Sequence, residues 1–416
     1  MGLSSWKSHK ARQATPCRVA PDCKPECPLL PGKTPDMMDK PLALLGGLTA
    51  REFLRDYWHK QPLLIRGALR DVGTPADFEV LAELARRDDV ESRLIEKRAG
   101  GRWHVEHGPF QPARLARLPE SDWTLLVQSV NHHLPHVSDI LWRFNFLPYA
   151  RLDDLMISYA PPGGTVGPHF DSYDVFLLQV GGKKRWQVGS PDNDQLEDGA
   201  PIKVLSSFDA LQSWELEQGD MLYLPPKFSH YGVALEPGMT YSIGFRAPTT
   251  QELAEQFLTY LQDTLCLDGR YADPDLGPPR HPAEISESMV DQVQDMLKAI
   301  RWDRDGVGEF LGCYLTEPKN HVFFDPPEDS LDEDEFAKAI LRDGLVLDLK
   351  SQMLFRNSIC FVNGEIHAGM DGDLPAWREL ANQRRLAGQA ISDGMTETLY
   401  AGYLSGWWWP ANPIVD

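Results

Sequence analysis

With 416 residues, 42% of them hydrophobic and 12 of them tryptophan, the chain is long and apolar enough for about two to four buried cores, which excludes a disordered polypeptide. No stretch approaches the ~18 successive apolar residues that cross a bilayer, so no membrane partner is expected. A formal net charge of -20 repels phosphate backbones and favours positively charged proteins or peptides, so direct nucleic-acid binding across a broad surface is not expected either.

Residues 1 to about 40 form a Pro- and Lys-rich leader that reads as disordered, with translation starting at Met37 or Met38 as an alternative. Its Cys17, Cys23 and Cys27 match no zinc spacing and lack a fourth ligand, and the first thirty residues show no apolar signal-peptide core. The remaining cysteines, Cys266, Cys313 and Cys360, are scattered as in a reducing cytoplasm. The folded part begins with LTAREFLRDYWHKQPLLIRG, where Thr49 and Glu52 form a capping box and Phe53, Leu54, Tyr57 and Trp58 an apolar helical face. After Pro62 comes an extended run, 63–65, then mixed segments up to Pro148 that include a strand at 123–127. His132, His133 and His136 follow it, and histidines on such a flank more often pack or face solvent than bind metal.

From Asp154 to Arg246 the pattern becomes short strands, at 155–159, 174–180, 185–188, 214–216, 221–224, 231–235 and 241–245. Gly163-Gly164, Gly181-Gly182, Gln218-Gly219 and Pro237-Gly238 supply turns between them, and this punctuation suggests a sandwich or barrel of the jelly-roll cupin kind. Within it, GPHFDSYDVFLLQ places His169 and Asp171 two residues apart, on one side of an extended chain. LPPKFSHYG adds His230 after a Pro-Pro turn. An H-x-D triplet alone also fits a core histidine beside a surface aspartate. Two histidines and one carboxylate at a barrel mouth are the set that holds iron(II) on one face and leaves positions open.

After Pro248 two amphipathic helices are expected, one with Leu253, Phe257, Leu258, Leu261 and Leu265 on its stripe, the other with Ile285, Met289, Val293, Leu297 and Ile300. PPEDSLDEDE reads as a linker to a last module with helices at 334–342, 376–386 and 396–404 and strands at 345–349 and 358–362, an order compatible with a winged helix. From Ser330 on, seven Lys or Arg face thirteen Asp or Glu, so a structural or protein-contact role is favoured over DNA reading. The elements read as mixed α+β in four parts: a leader (1–40), a jelly-roll cupin barrel (41–248), a helical pair (249–322) that packs within its own chain or makes a dimer contact, and an acidic module compatible with a winged helix (323–416).

The segments FLRDYWHKQPLLIRG, SRLIEK, WTLLVQSVNHH, DDLMISYAPPGGTVGPHFDSYDVFLLQ, GDMLYLPPKFSHYG and YSIGFRAP resemble those of the bacterial ribosomal oxygenases of the JmjC type, from about Leu42 onward, whereas the leader does not. The resemblance implies a double-stranded β-helix catalytic barrel and a dimerisation role for the helices after it. It implies a cytoplasmic, homodimeric dioxygenase that uses iron(II), 2-oxoglutarate and O2 to hydroxylate an arginine, at its β-carbon, in a basic large-subunit ribosomal protein of the L-sixteen type. It implies His169, Asp171 and His230 as the catalytic metal ligands, and Lys184 as the anchor of the distal carboxylate of 2-oxoglutarate, where some members carry arginine. Ser158 follows as a second cosubstrate contact, and Asp153 and Ser242 as contacts to the target arginine. Strand alternation agrees, since Lys184 shares a face with Trp186 while Lys183 and Arg185 point away. Hydroxylation of histidine is the alternative within the superfamily. A cupin dioxygenase or isomerase would more often use imidazoles alone or add a glutamate, and a non-enzymatic cupin and winged-helix regulator would have no use for an intact ligand set.

Overall fold

The computed structural model describes residues 39–411 apart from 71, 73–75, 99 and 368–371. Cys17, Cys23, Cys27 and the alternative starts Met37 and Met38 lie outside the described residues. The first helix, α1 (Ala50–Asp56), has its capping box: the Thr49 hydroxyl accepts from Glu52 N (3.1 Å) and the Glu52 carboxylate from Thr49 N (2.8 Å). So short a helix is marginal alone. Burial holds it, because the fully buried Phe53 ring lies 4.9 Å from that of Tyr223 and 5.6 Å from that of Phe176.

Next come β1 (Leu63–Ile65), α2 (Phe78–Leu84), the hairpin β2 (Ser92–Lys97) and β3 (Trp103–His107), α3 (Pro112–Leu115), β4 (Trp123–Val127) and α4 (Pro135–Trp142). The hairpin escaped the sequence reading because neither strand alternates cleanly. Its outer face carries Glu96, His104 and Glu106, which Arg114 neutralises at 2.9 and 2.8 Å from the two glutamates. The expected strands all form: β5 (Leu152–Ala160), β6 (Val175–Gly181), β7 (Lys184–Val188), β8 (Gln212–Leu216), β9 (Met221–Leu224), β10 (His230–Ala234) and β11 (Gly238–Phe245). Together with β1–β4 they make two facing sheets, an eight-stranded one in the order β1-β9-β6-β11-β5-β4-β2-β3 and a three-stranded one in the order β10-β7-β8.

Strand β6 shows how the sheets close. It is buried on both faces, so it reads as a continuous apolar run. Val175 and Leu177 point inward and join Trp186, Val188, Leu216, Leu222 and Leu224 between the sheets. Phe176 and Leu178 point outward into the larger core with Phe53, Phe144 and Phe245, beneath the helices.

Three helices follow: α5 (Thr250–Thr264), α6 (Glu287–Leu297) and α7 (Arg304–Thr316). Thr249 and Ser286 cap the first two by accepting from Glu252 N and Met289 N, and neither helix buries a single residue. Helix α7 was not expected, since Gly306, Gly308 and Gly312 each disfavour a helix interior. Gly312 is there for packing: a Cβ at this position would lie 2.3 Å from the Phe361 ring.

The last module has α8 (Glu333–Asp343), β12 (Leu345–Leu347), β13 (Met353–Arg356), β14 (Ile359–Val362), β15 (Glu365–His367), α9 (Leu374–Gln383), β16 (Arg385–Leu386), α10 (Asp393–Leu404) and β17 (Trp408–Pro410). The last three residues of the expected linker are helix, because Asp332 and Glu335 form a second capping box. The helix expected over 376–386 stops at Gln383, where Arg384 turns left-handed (φ 57°) and releases the chain into β16. Phe336, Ile340, Trp377, Leu380, Leu399 and Trp408 form a separate core. The module docks on the barrel side through Arg384, 4.1 Å over the Trp142 ring, and through Tyr149 Oη, which donates to Asn382 O (3.1 Å).

Candidate active site

His169 and His230 are brought together by backbone. His169 lies in the loop between β5 and β6, in an isolated bridge rather than the regular strand expected, and exchanges both main-chain hydrogen bonds with His230 at 3.0 and 2.7 Å. Their rings stand 4.2 Å apart, and Asp171 Oδ2 is 3.7 Å from His230 Nε2. One ligand atom from each of the three residues lies within 4.8 Å of the others.

Both imidazoles are oriented for ligation. His169 Nδ1 faces Gly167 O and His230 Nδ1 faces Phe228 O, each at 3.0 Å. A ring nitrogen against a carbonyl must carry the proton, so each Nε2 offers its lone pair. Burial, with the neighbouring His169, lowers the pKa of His230 to about 4, which keeps it neutral. Gly167 is left-handed (φ +81°), and a Cβ there would meet Val204 at 2.5 Å and Trp103 at 2.8 Å, so this turn requires glycine. Two imidazoles and a carboxylate, with an open cavity beside them, fit iron(II) and its open coordination positions.

That cavity, about 800 Å³, runs between the sheets and is lined by Ser158, Val175, Leu177, Lys184, Trp186, Thr240 and Ser242 among others. Lys184 is buried on the same face as Trp186, as alternation required, with Nζ 4.6 Å over the indole and donating weakly to Thr240 Oγ1 (3.4 Å). Gly232 sits opposite Trp186, and a Cβ there would meet the indole at 2.7 Å and Lys184 Cε at 2.8 Å. Burial lowers the Lys184 pKa to about 8. The indole Nε1 of Trp186 is buried without a hydrogen-bond partner. An ammonium with no carboxylate partner among the described residues and an orphaned N–H together fit an acceptor-rich ligand.

Ser158 donates weakly to Thr240 O (3.5 Å), and Thr240 Oγ1 donates to Gln179 Oε1 (3.0 Å). The sequence reading missed Thr240, although it stands two residues from Ser242 on β11 and so shares its face. Asp153 lines the cavity and is engaged by Lys319 Nζ (3.0 Å) and Arg246 Nε (3.5 Å). Lys319 and the buried Asp154 were also missed, the first because nothing local marks it. His132 and His133 form no metal cluster with His136 among the described residues: burial lowers their pKa values to about 3 and 4.

The barrel and its ligand set define a JmjC oxygenase, and the JmjC domain family matches residues 139–253 while the ROXA-like winged helix matches 299–409. The chain is 34% identical over 367 residues, 86% of its own length and 96% of the relative's, to the ribosomal protein uL16 3-hydroxylase of Escherichia coli. A crystal structure of the E. coli ribosomal oxygenase YcfD in complex with cobalt and 2-oxoglutarate superposes with a TM-score of 0.73 at 34% identity, covering 86% of this chain and 97% of that one. A bifunctional lysine-specific demethylase and histidyl-hydroxylase from Brugia malayi is 40% identical over 85 residues only, 18% of this chain and 12% of that protein. The chain belongs to the JmjC ribosomal oxygenases, 2-oxoglutarate-dependent hydroxylases of ribosomal proteins.

Proposed function

We propose that the protein hydroxylates an arginine side chain, at the β-carbon, in a basic large-subunit ribosomal protein of the uL16 type. The observation that carries this reading is the convergence of an Nε2-presenting His169, Asp171, His230 set, the buried Lys184 ammonium and the Asp153 carboxylate on one cavity. In E. coli the relative that matches along nearly its full length is named a 3-hydroxylase of ribosomal protein uL16, whereas a bifunctional demethylase and histidyl-hydroxylase of Drosophila persimilis aligns over 226 residues, 51% of this chain, at 21% identity.

When bound, iron(II) with 2-oxoglutarate and O2 would supply the oxidative decarboxylation to succinate and carbon dioxide that drives hydroxylation of an unactivated carbon, one oxygen atom of O2 going to succinate and the other to the substrate. The chain's own residues do the rest. His169, Asp171 and His230 would hold the metal through the two Nε2 atoms and a carboxylate oxygen. Lys184 takes the distal carboxylate of 2-oxoglutarate as a point charge, with Thr240 and the Trp186 N–H beside it and Ser158 nearby. Val175, Leu177 and Trp186 exclude water from that end. Asp153 and Ser242 orient the target side chain, a guanidinium being suited to a carboxylate fork.

Residues 41–248 then act as the catalytic unit, 249–322 as a dimerisation region and 323–416 as the winged-helix module. Exposed Leu258, Val290, Val293 and Leu297 on α5 and α6, helices that bury nothing within the chain, support a homodimer through this segment. No described helix is long and apolar enough to cross a membrane, and a cytoplasmic location suits a ribosomal protein substrate. The acidic composition speaks for a basic protein partner and against nucleic acid.

The experiment incubates the protein with iron(II), 2-oxoglutarate and the uL16-type ribosomal protein and maps the modified residue by fragmentation mass spectrometry. One added oxygen on an arginine is the expected result. Addition on a histidine, or none, sinks the reading.

A further inference from the structure

The carboxylate that the proposed function assigns to the target guanidinium is already held from behind. Lys319 Nζ and Arg246 Nε both approach Asp153 through Oδ1, at 3.0 and 3.5 Å. Lys319 also lies 4.0 Å from Oδ2 of the buried Asp154, which accepts from Ser129 N (3.0 Å) and Ser129 Oγ (2.8 Å). Lys319 lines the same cavity as the metal-binding set. Yet it falls outside the JmjC match and inside the winged-helix match.

The contacts that put it there are specific. Gly364 N, in the turn between β14 and β15, donates to Thr316 Oγ1 at the end of α7 (3.0 Å). Lys350 Nζ donates to Phe323 O (2.6 Å), on the other side of Lys319. Arg246 Nη1 closes the arrangement from the barrel by donating to Leu315 O (2.7 Å). Two of these three anchors belong to the C-terminal module.

We propose that the winged-helix module completes the substrate site: it delivers Lys319 as a positioning residue that holds Asp153 through Oδ1, so that Oδ2 receives the target guanidinium. The proposal rests on the arginine reading of Asp153. Lys319 places one positive charge beside both carboxylates and fixes one Asp153 rotamer by contact. Burial by itself would lower the Lys319 pKa, but Asp154 and Asp153 outweigh it and the pKa is raised, so the ammonium is a stable part of the site.

The test uses the full-length enzyme with iron(II), 2-oxoglutarate and a peptide carrying the target arginine. Lys319→Met and Lys319→Gln are expected to raise the peptide KM about tenfold with a smaller loss in kcat, as for losing one oriented charge-assisted contact. Lys319→Arg restores most of the effect. Asp153→Asn raises KM as well, and Asp153→Asn with Lys319→Met is no worse than Asp153→Asn alone, the coupling expected of residues that act as one unit. Wild-type or lowered KM in both neutral Lys319 variants overturns the proposal, as does an effect that simply adds to that of Asp153→Asn. An unchanged KM in Asp153→Asn itself instead removes the arginine reading on which the proposal stands.

Discussion

The barrel and the two helices after it carry equally regular apolar patterns and resolve them in opposite ways. Strands β6 and β9 bury nearly every side chain, on both faces, inside one chain. Helices α5 and α6 have continuous stripes and bury none. A pattern in sequence specifies that a face must be covered, not by what. In the barrel the cover is the facing sheet and the helices behind it, so geometry at the metal site is set within the chain. On α5, helix α7 half-covers the stripe, with the Phe257 ring 5.1 Å from that of Phe310, and on α6 the cover has to come from elsewhere.

The comparison is broken most severely at the barrel mouth. His169→Ala or Asp171→Ala removes one of three ligands and is expected to lower succinate formation by more than about 100-fold, with thermal unfolding little changed because neither side chain belongs to an apolar core. Unaltered succinate release by either variant would discard the metal assignment.

Next in size is Lys184. Removing one member of its pairing with the distal carboxylate costs about 3 kcal/mol or more, or roughly 100-fold in the 2-oxoglutarate KM. Lys184→Arg should lose much less. Lys183→Ala should do nothing measurable, since Lys183 points outward to a largely exposed Glu217 at 3.0 Å. Cosubstrate titrations of the three variants decide it, and the reverse ranking would contradict the strand register.

Legibility followed the same division. The seven barrel strands were readable because Gly and Pro punctuate them and because alternation alone put Lys184 with Trp186 and against Lys183 and Arg185. His169 and Asp171 were readable as a spacing, although the backbone bridge to His230, and not a regular strand, is what joins them. The sequence could not show features that depend on a distant partner. Lys319 has no local signature, and its place is fixed by Lys350 and Gly364, far along the chain. Helix α7 hides behind Gly312, whose missing side chain is explained only by the Phe361 ring. The β2 and β3 hairpin hides behind charges that pair across strands.

The helices can be tested apart from the barrel. Val293 and Leu297 are 37% and 57% exposed in the single chain, so replacing both by Asp should change the stability of the isolated fold by no more than about 0.5 kcal/mol per site. The same charges placed in an apolar seam should abolish association. Analytical ultracentrifugation of wild type and variant gives the answer: a wild-type dimer and a variant monomer are expected, with 2-oxoglutarate affinity retained. A wild-type monomer at micromolar concentration would mean that these stripes are covered by something other than a second copy.

The smallest effect is the most diagnostic of burial in the barrel. Burial puts the Lys184 pKa at about 8 in the cosubstrate-free protein, below its ordinary value, so the ammonium is lost as pH rises through that point. The distal carboxylate needs the charged form. Below the midpoint the lysine is already protonated and affinity for 2-oxoglutarate should be flat with respect to this group. Above it each binding event must take up a proton, so affinity should fall, by roughly tenfold about one unit beyond the midpoint. Lys184→Arg, whose guanidinium stays charged throughout this range, should remove the fall while sharing every other pH effect of the metal site. Calorimetric titration of both proteins from neutral to mildly alkaline pH, with manganese(II) in place of iron to avoid oxidation, makes the comparison. Parallel curves for the two would show that the ammonium facing Trp186 and Thr240 is solvated far better than its burial implies.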